Sequence, residues 1–286
     1  MPLDMSLAGL NAPVPNHLSF DVAFEDTKVS DKKYVINGAN DDYIGIVGSS
    51  FRCADHKSFF EGVQQTMIEN LDPNDLSGID VRWRSARSNA WAMMDLTLLN
   101  VRSKISNDKF ETTIMPRIIA LHGIDGSCSN QVFFGKIDAF CTNGMISGTY
   151  DKVRRKNTSG FTMDGFISEL RNSRQDFYVE AQRMEKWLNT PIPLMDVKEL
   201  IQSIVKSDRK AEKMTSNYFS EAGVRGHNVF SLYSAFTNYA TYADNRNGFT
   251  LRNTGKDTQA VSMWSREQEV SKWISNDNFK GLLQAA

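Results

Sequence analysis

Two short stretches carry residues able to bind a polyanion. The first is Val81-Arg-Trp-Arg-Ser-Ala-Arg87, followed shortly by Trp91. The second is Tyr150-Asp-Lys-Val-Arg-Arg-Lys156, with Phe161 close behind. Cationic side chains neutralise phosphates while rings stack on bases, a combination suited to single-stranded nucleic acid, whose bases expose their π-faces. Each stacked base contributes roughly 1–3 kcal/mol, and each neutralised phosphate adds salt dependence. On a strand, Arg82 and Arg84 share one face and Val81 and Trp83 the other. The candidate phosphate contacts are Arg82, Arg84, Arg87, Lys136, Lys152, Arg154, Arg155 and Lys156. The candidate stacking rings are Trp91, Tyr150 and Phe161. A plainer reading puts Trp83 and Trp91 in the core and the arginines on a solvated face. The Lys152–Lys156 cations follow an Asn-Gly turn and are expected in a polar loop, where packing does not account for them.

Other residues suggest catalysis only weakly. His122 and Asp125 lie three apart at a turn, spaced for a base and its orienter or for metal ligands, but a structural role is the expectation. Asp95 and Asp138 fall in strand candidates. Paired carboxylates there would hold a divalent metal for nuclease chemistry, and the competing reading pairs them with Arg117 or Lys136 across a sheet. Cys128 and Cys141 are candidate nucleophiles, although Cys141 continues an apolar strand face and reads better as a small buried hydrophobe. The four histidines show no ligand spacing, so no zinc site is expected. There is no Walker-type loop, no Gly-x-Gly-x-x-Gly after a strand and no Gly-x-Ser-x-Gly. No cofactor and no catalytic residue are assigned.

The elements that must position these residues follow from periodicity. Residues 1–42 hold three prolines and many Asp and Asn, and read as an N-terminal arm with a short strand around Leu18–Phe24. Tyr43–Val47 reads as a buried strand. Asp55 is a fair N-cap for a helix whose apolar residues Phe59, Phe60, Val63, Met67, Ile68 and Leu71 recur at helical steps. Four strand candidates follow, Ile79–Arg84, Ala90–Val101, Thr113–His122 and Gln131–Phe140, rich in β-branched and aromatic residues. Ser103–Lys109 reads as a polar loop. Three further helices are expected, around Phe166–Leu188, Val197–Val205 and Val229–Ala243, and Trp264–Trp273 lies in or beside another. The predicted class is α+β: an antiparallel sheet over about residues 79–142, one helix before it and a helical C-terminal half. The expected division is an arm (1–42), an α+β nucleic-acid-binding core (43–160) and a helical region (161–286).

The 286 residues permit one large domain or two small ones. At 41% apolar and 23% charged the composition is that of a globular protein. The net charge is −1, but it is uneven: −8 over residues 1–80, +6 over 81–160 and +1 over 161–286. A basic middle beside an acidic leader points to a polyanion site in one region. Met1–Asn11 has no cationic n-region and no apolar run, and no stretch reaches 18 apolar residues, so neither a signal peptide nor a membrane span is expected. Three widely spaced cysteines fit a reducing cytoplasm.

Three stretches in order carry a resemblance. Leu121-His-Gly-Ile-Asp-Gly-Ser127, Ile137-Asp-Ala-Phe-Cys-Thr-Asn-Gly-Met145 and Asn228-Val-Phe-Ser-Leu-Tyr-Ser-Ala-Phe-Thr-Asn-Tyr239 resemble segments of the phage/plasmid-like proteins grouped as a family of unknown function. The likeness covers about residues 40–270. It departs at Asn157-Thr158 and at Ser234-Ala235. It implies a bacteriophage, plasmid or mobile-element origin. More distantly, a basic sheet followed by helices resembles the single-strand annealing proteins of the Rad-fifty-two type. That resemblance implies a backbone-binding groove, a ring or filament of protomers and no nucleotide hydrolysis. The expectation is a single-stranded DNA-binding, annealing or recombination protein, non-enzymatic and homo-oligomeric. The alternatives are a metal-dependent nucleic-acid-processing enzyme and a phage structural or host-interaction protein.

Overall fold

The computed structural model describes residues 13–139, 144–146, 153–155, 164–193, 197–242 and 259–282. After a short 3-10 turn at Asn16–Leu18, strands β1 (Val22–Asp26), β2 (Lys32–Asn37) and β3 (Tyr43–Gly48) form a three-stranded antiparallel sheet. Residues 22–37 of the expected arm thus supply two strands of this sheet. Its Val35 and Val47 are buried, but Tyr43 and Ile46 are exposed, so the third strand is not the buried one its apolar run suggested.

Helix α1 (His56–Asn70) begins where Asp55 accepts a hydrogen bond from the Ser58 amide at 2.7 Å, satisfying one of the free first-turn donors. Asp72 caps a one-turn helix, α2 (Pro73–Leu76), with Pro73 at its first position, where a missing donor costs nothing.

Among the described residues the main sheet has seven strands: β4 (Ile79–Ala86), β5 (Trp91–Leu98), β6 (Ser103–Ser106), β7 (Glu111–Gly123), β8 (Asn130–Asp138), β9 (Gly144–Ile146) and β10 (Val153–Arg155). The path runs β10-β8-β7-β5-β4, with β6 on β7 and β9 on β8, and the pairs are antiparallel. All four strand candidates are present. Strand β6 lies in the stretch expected as a loop; only its Ile105 is buried, so it shows no apolar alternation. Strand β10 carries Arg154 and Arg155, also expected in a loop.

Among the described residues, helices α3 (Asp164–Leu188), α4 (Val197–Val205), α5 (Asp208–Arg225), α6 (Val229–Tyr242), α7 (Gln259–Ile274) and α8 (Asp277–Gly281) follow. The protein is thus α+β. Helix α5 was not anticipated: a charged first turn hides its buried row Ala211, Met214, Tyr218, Ala222. Cys141 lies outside the described residues.

One sheet face, with Ala92, Met94, Leu96, Ile118, Ala120 and Val132, packs in a core shared with α1 and the C-terminal helices. The other face holds a smaller cluster around Trp91, Met93, Ile119, Leu121 and Phe133. Strand β5 is buried along its whole length because both of its faces are covered. Among the described residues no helix is long and apolar enough to cross a membrane.

Candidate nucleic-acid interface

The acidic candidates are committed to ion pairs. Arg117 grips Asp95 through two nitrogens, at 2.7 and 2.8 Å, and reaches Glu267 of α7 at 2.9 Å. Arg84 adds a third contact to Asp95, at 2.9 Å. Burial alone would push the Asp95 carboxyl up, but Arg117 and Arg84 overcome it and hold it at about 2. Asp138 pairs with Arg225 of α5 at 2.9 Å and accepts from the Thr112 hydroxyl. The expected Asp95–Arg117 pairing is present. The partner of Asp138 comes from a distant helix that sequence spacing could not indicate.

His122 does not join Asp125. It is fully buried, stacked on Phe59 at 4.4 Å, and its Nδ1 lies 2.8 Å from Nδ1 of His56. Burial holds both imidazoles down, His56 to about 4. Asp125 instead belongs to the turn after β7. Its carboxylate accepts from the Ser127 amide at 2.9 Å and from the Ser127 hydroxyl.

The predicted nucleic-acid contacts divide into three groups. Lys136 is buried, with Nζ 3.6 Å from Glu180, and burial pulls its ammonium down to about 8 despite that carboxylate. Arg84 is held by Asp95, and Trp91 is buried with its indole N–H donating to Ser127 at 2.8 Å. As placed, Lys136 and Trp91 present neither a free ammonium nor an open ring to solvent, which departs from the contact roles expected of them. Arg82 and Arg87 are solvent-facing, at 51% and 53% side-chain exposure. Tyr150, Lys152, Lys156 and Phe161 lie outside the described residues, as do the side chains of Arg154 and Arg155.

The broad sheet face is no open platform, since Met93, Ile119, Leu121 and Phe133 are all buried. One end of the sheet is different. There the β4–β5 turn and the β7–β8 turn are fastened to each other. The Arg87 guanidinium donates to Ser127 Oγ at 2.9 Å, pairs with Asp125 at 3.3 Å and lies 5.5 Å over the Trp91 ring. The Ile124 amide donates to the Ala90 carbonyl at 2.9 Å. Arg87, Ser88 and Asn89 have φ of 54°, 51° and 66°, three consecutive left-handed residues without a glycine. Such backbone costs about 1–3 kcal/mol per residue and concentrates at functional sites. Gly126, at φ 74°, takes the matching position in the facing turn.

The second basic cluster reaches the same end. Strand β10 runs antiparallel to β8 with Arg155 opposite Asn130 and Arg154 opposite Gln131, the first residues after the β7–β8 turn. Arg84, Met93, Leu121, Gln131 and Arg154 form one row across the sheet. Four inter-strand steps separate its ends, about 19 Å. Two clusters some 65 residues apart in sequence thus flank one turn-bearing end.

This is the architecture of an α+β protein whose two turns are fastened together at one sheet end. Residues 44–279 match the family described as Domain of unknown function (DUF932), and the chain belongs to that family. No curated protein and no solved structure matches it.

Proposed function

We propose that the chain is a non-enzymatic single-stranded nucleic-acid-binding protein, an annealing or recombination factor of a phage or mobile element that works as a homo-oligomer. The observation that supports it is the convergence of Arg87 and the Arg154–Arg155 strand on one sheet end. Arg87 is pre-shaped there: stacked on Trp91 and tied to Ser127, it loses little freedom when it meets a phosphate, and arginine suits that partner. The alternative, a metal-dependent enzyme, would draw on Asp95, Asp138 and His122. Each is already engaged inside the fold, and among the described residues no group of three His, Cys, Asp or Glu is placed to hold a metal.

Fluorescence anisotropy with an unstructured oligonucleotide tests the reading. Tight binding is expected at low salt, with a log–log salt slope of roughly −0.7 per phosphate contacted. Arg87→Ala should flatten the slope by about 0.7, and Arg154→Ala with Arg155→Ala by up to about 1.4. Arg82→Ala should leave stability within about 0.5 kcal/mol, because its pair with Asp80 is exposed. No binding by the wild type at low salt would remove the proposal.

A further inference from the structure

The strained turn that carries Arg87 rests on a buried histidine chain. His56 Nε2 lies 2.8 Å from the Asn89 carbonyl oxygen. A carbonyl only accepts, so His56 carries its proton on Nε2 and, being neutral, leaves Nδ1 bare. Nδ1 of His122 stands 2.8 Å from that bare nitrogen and must therefore donate to it. That assignment leaves His122 Nε2 as a lone pair, and this atom is buried without a hydrogen-bond partner among the described residues. One arrangement of protons on neutral rings makes both hydrogen bonds of the chain, from His122 through His56 to the backbone of the turn.

We propose that His56 and His122 are positioning residues, a latch that holds the left-handed Arg87–Asn89 turn closed and so presents Arg87 to its ligand. The inference rests on the reading of Arg87 as a phosphate contact. The latch joins three elements. His56 stands in the first turn of α1, His122 near the end of β7, and Asn89 in the turn of an adjoining strand pair. Neutral rings suit the surroundings, since Phe20, Phe59 and Phe60 pack against them. The carboxylates acting on His56 are Asp55, the α1 N-cap, and Asp125 of the facing turn, and Arg87 is paired with the latter. A proton added to the pair, either on His122 Nε2 directly or on His56 Nδ1 with His122 shifted to its other tautomer, turns His122 Nε2 into a buried donor with no acceptor among the described residues. Acid therefore opens the latch, and the Arg87 turn loses its anchor.

Imidazole nitrogen shifts of the wild-type full-length protein at pH 7 read the latch directly. Protonated His56 Nε2 and His122 Nδ1, with the other two nitrogens bare, are expected, and the reverse tautomers would overturn the proposal. His56→Phe then removes the donor to Asn89. Amide hydrogen exchange should quicken at Ala90 and Ile124, whose amides close the two turns, while the interior of α1 stays protected. Oligonucleotide affinity should fall by the same factor as in Arg87→Ala, and the double variant should lose no more than either single one. Additive losses, or unchanged exchange at Ala90 and Ile124, overturn the latch. If Arg87→Ala itself leaves binding intact, the interface reading fails, and the tautomers and exchange rates still judge the histidine chain. If His56→Phe does not fold, acidifying the wild type below pH 6 must release the same two amides before the rest of the sheet, and simultaneous release overturns the proposal.

Discussion

Replacing Arg225 with leucine is expected to cost about 3–5 kcal/mol of folding stability, because it strands buried carboxylates. Arg225 closes α5 beneath the sheet, with only 1% of its side chain exposed. It pairs with Asp138 of β8 at 2.9 Å and with Glu221 one helical turn back, and its guanidinium lies 4.8 Å from the centre of the Phe110 ring. Leucine fills part of the volume but leaves two acids facing each other with fewer donors. Asp138 keeps Thr112, and Glu221 keeps the Asn238 amide at 3.0 Å. Urea titration at neutral pH measures the loss. Adding Asp138→Asn to the same variant removes one stranded charge and should recover part of it. A midpoint within error of wild type would show that this network does not hold α5 to the sheet.

The contrast between Asp138 and Asp95 shows what the sequence could reveal. Asp95 sits next but one in register to Arg117 on the neighbouring strand, so antiparallel pairing alone makes Arg117 a candidate partner. Asp138 takes its partner from a helix 87 residues away, and no local pattern encodes that. The four long strands were legible because they are rich in β-branched and aromatic residues, and the helices because their apolar residues recur at helical steps. Strands β6 and β10 and helix α5 were not. The strands are too short for two-residue alternation to show, and the helix opens on Asp208, Arg209 and Lys210.

The candidate interface is legible in its residue types and less so in its geometry. Arginines interleaved with aromatics at 81–91 mark the hairpin that carries the Arg87 turn, but periodicity does not tell that Trp91 lies under Arg87 instead of facing solvent. Lys136 stands on the core side of β8, where α3 supplies Glu180 as its counter-ion. The left-handed run at Arg87–Asn89 is marked in the sequence only by Asn89, a residue type that tolerates that backbone, since the turn contains no glycine. Its partner His56 stands out in the sequence only as one of four histidines without ligand spacing, because the contact with His122 spans 66 residues.

Acid should unfold the protein in two separable steps, the first through His56. In the unfolded chain His56 takes up its proton near 6.5, in the folded one only near 4, since burial outweighs the pull of the Asn89 carbonyl, Asp55 and Asp125. Between those values the unfolded chain binds more protons, so lowering the pH favours unfolding. The contribution is complete above about pH 6.5 and is lost progressively as pH falls toward 4, on the order of 3 kcal/mol if the full shift is realised. His122 shifts in the same direction and adds to this step. The second step belongs to Asp95, whose carboxyl moves from 3.8 in the unfolded chain to about 2 in the fold. Its stabilisation is present above pH 4 and disappears as the pH falls through 2. Urea unfolding at pH 7, 5.5, 4.5 and 3 resolves the steps. His56→Phe should flatten the profile between pH 7 and 4.5 while leaving the loss below pH 4 in place. Asp95→Asn should do the reverse, with lower stability throughout because Arg117 and Arg84 lose their shared carboxylate. A wild-type profile that stays level from pH 7 to 4.5 would mean that His56 titrates as a free imidazole, and the buried chain to Asn89 would have to be given up.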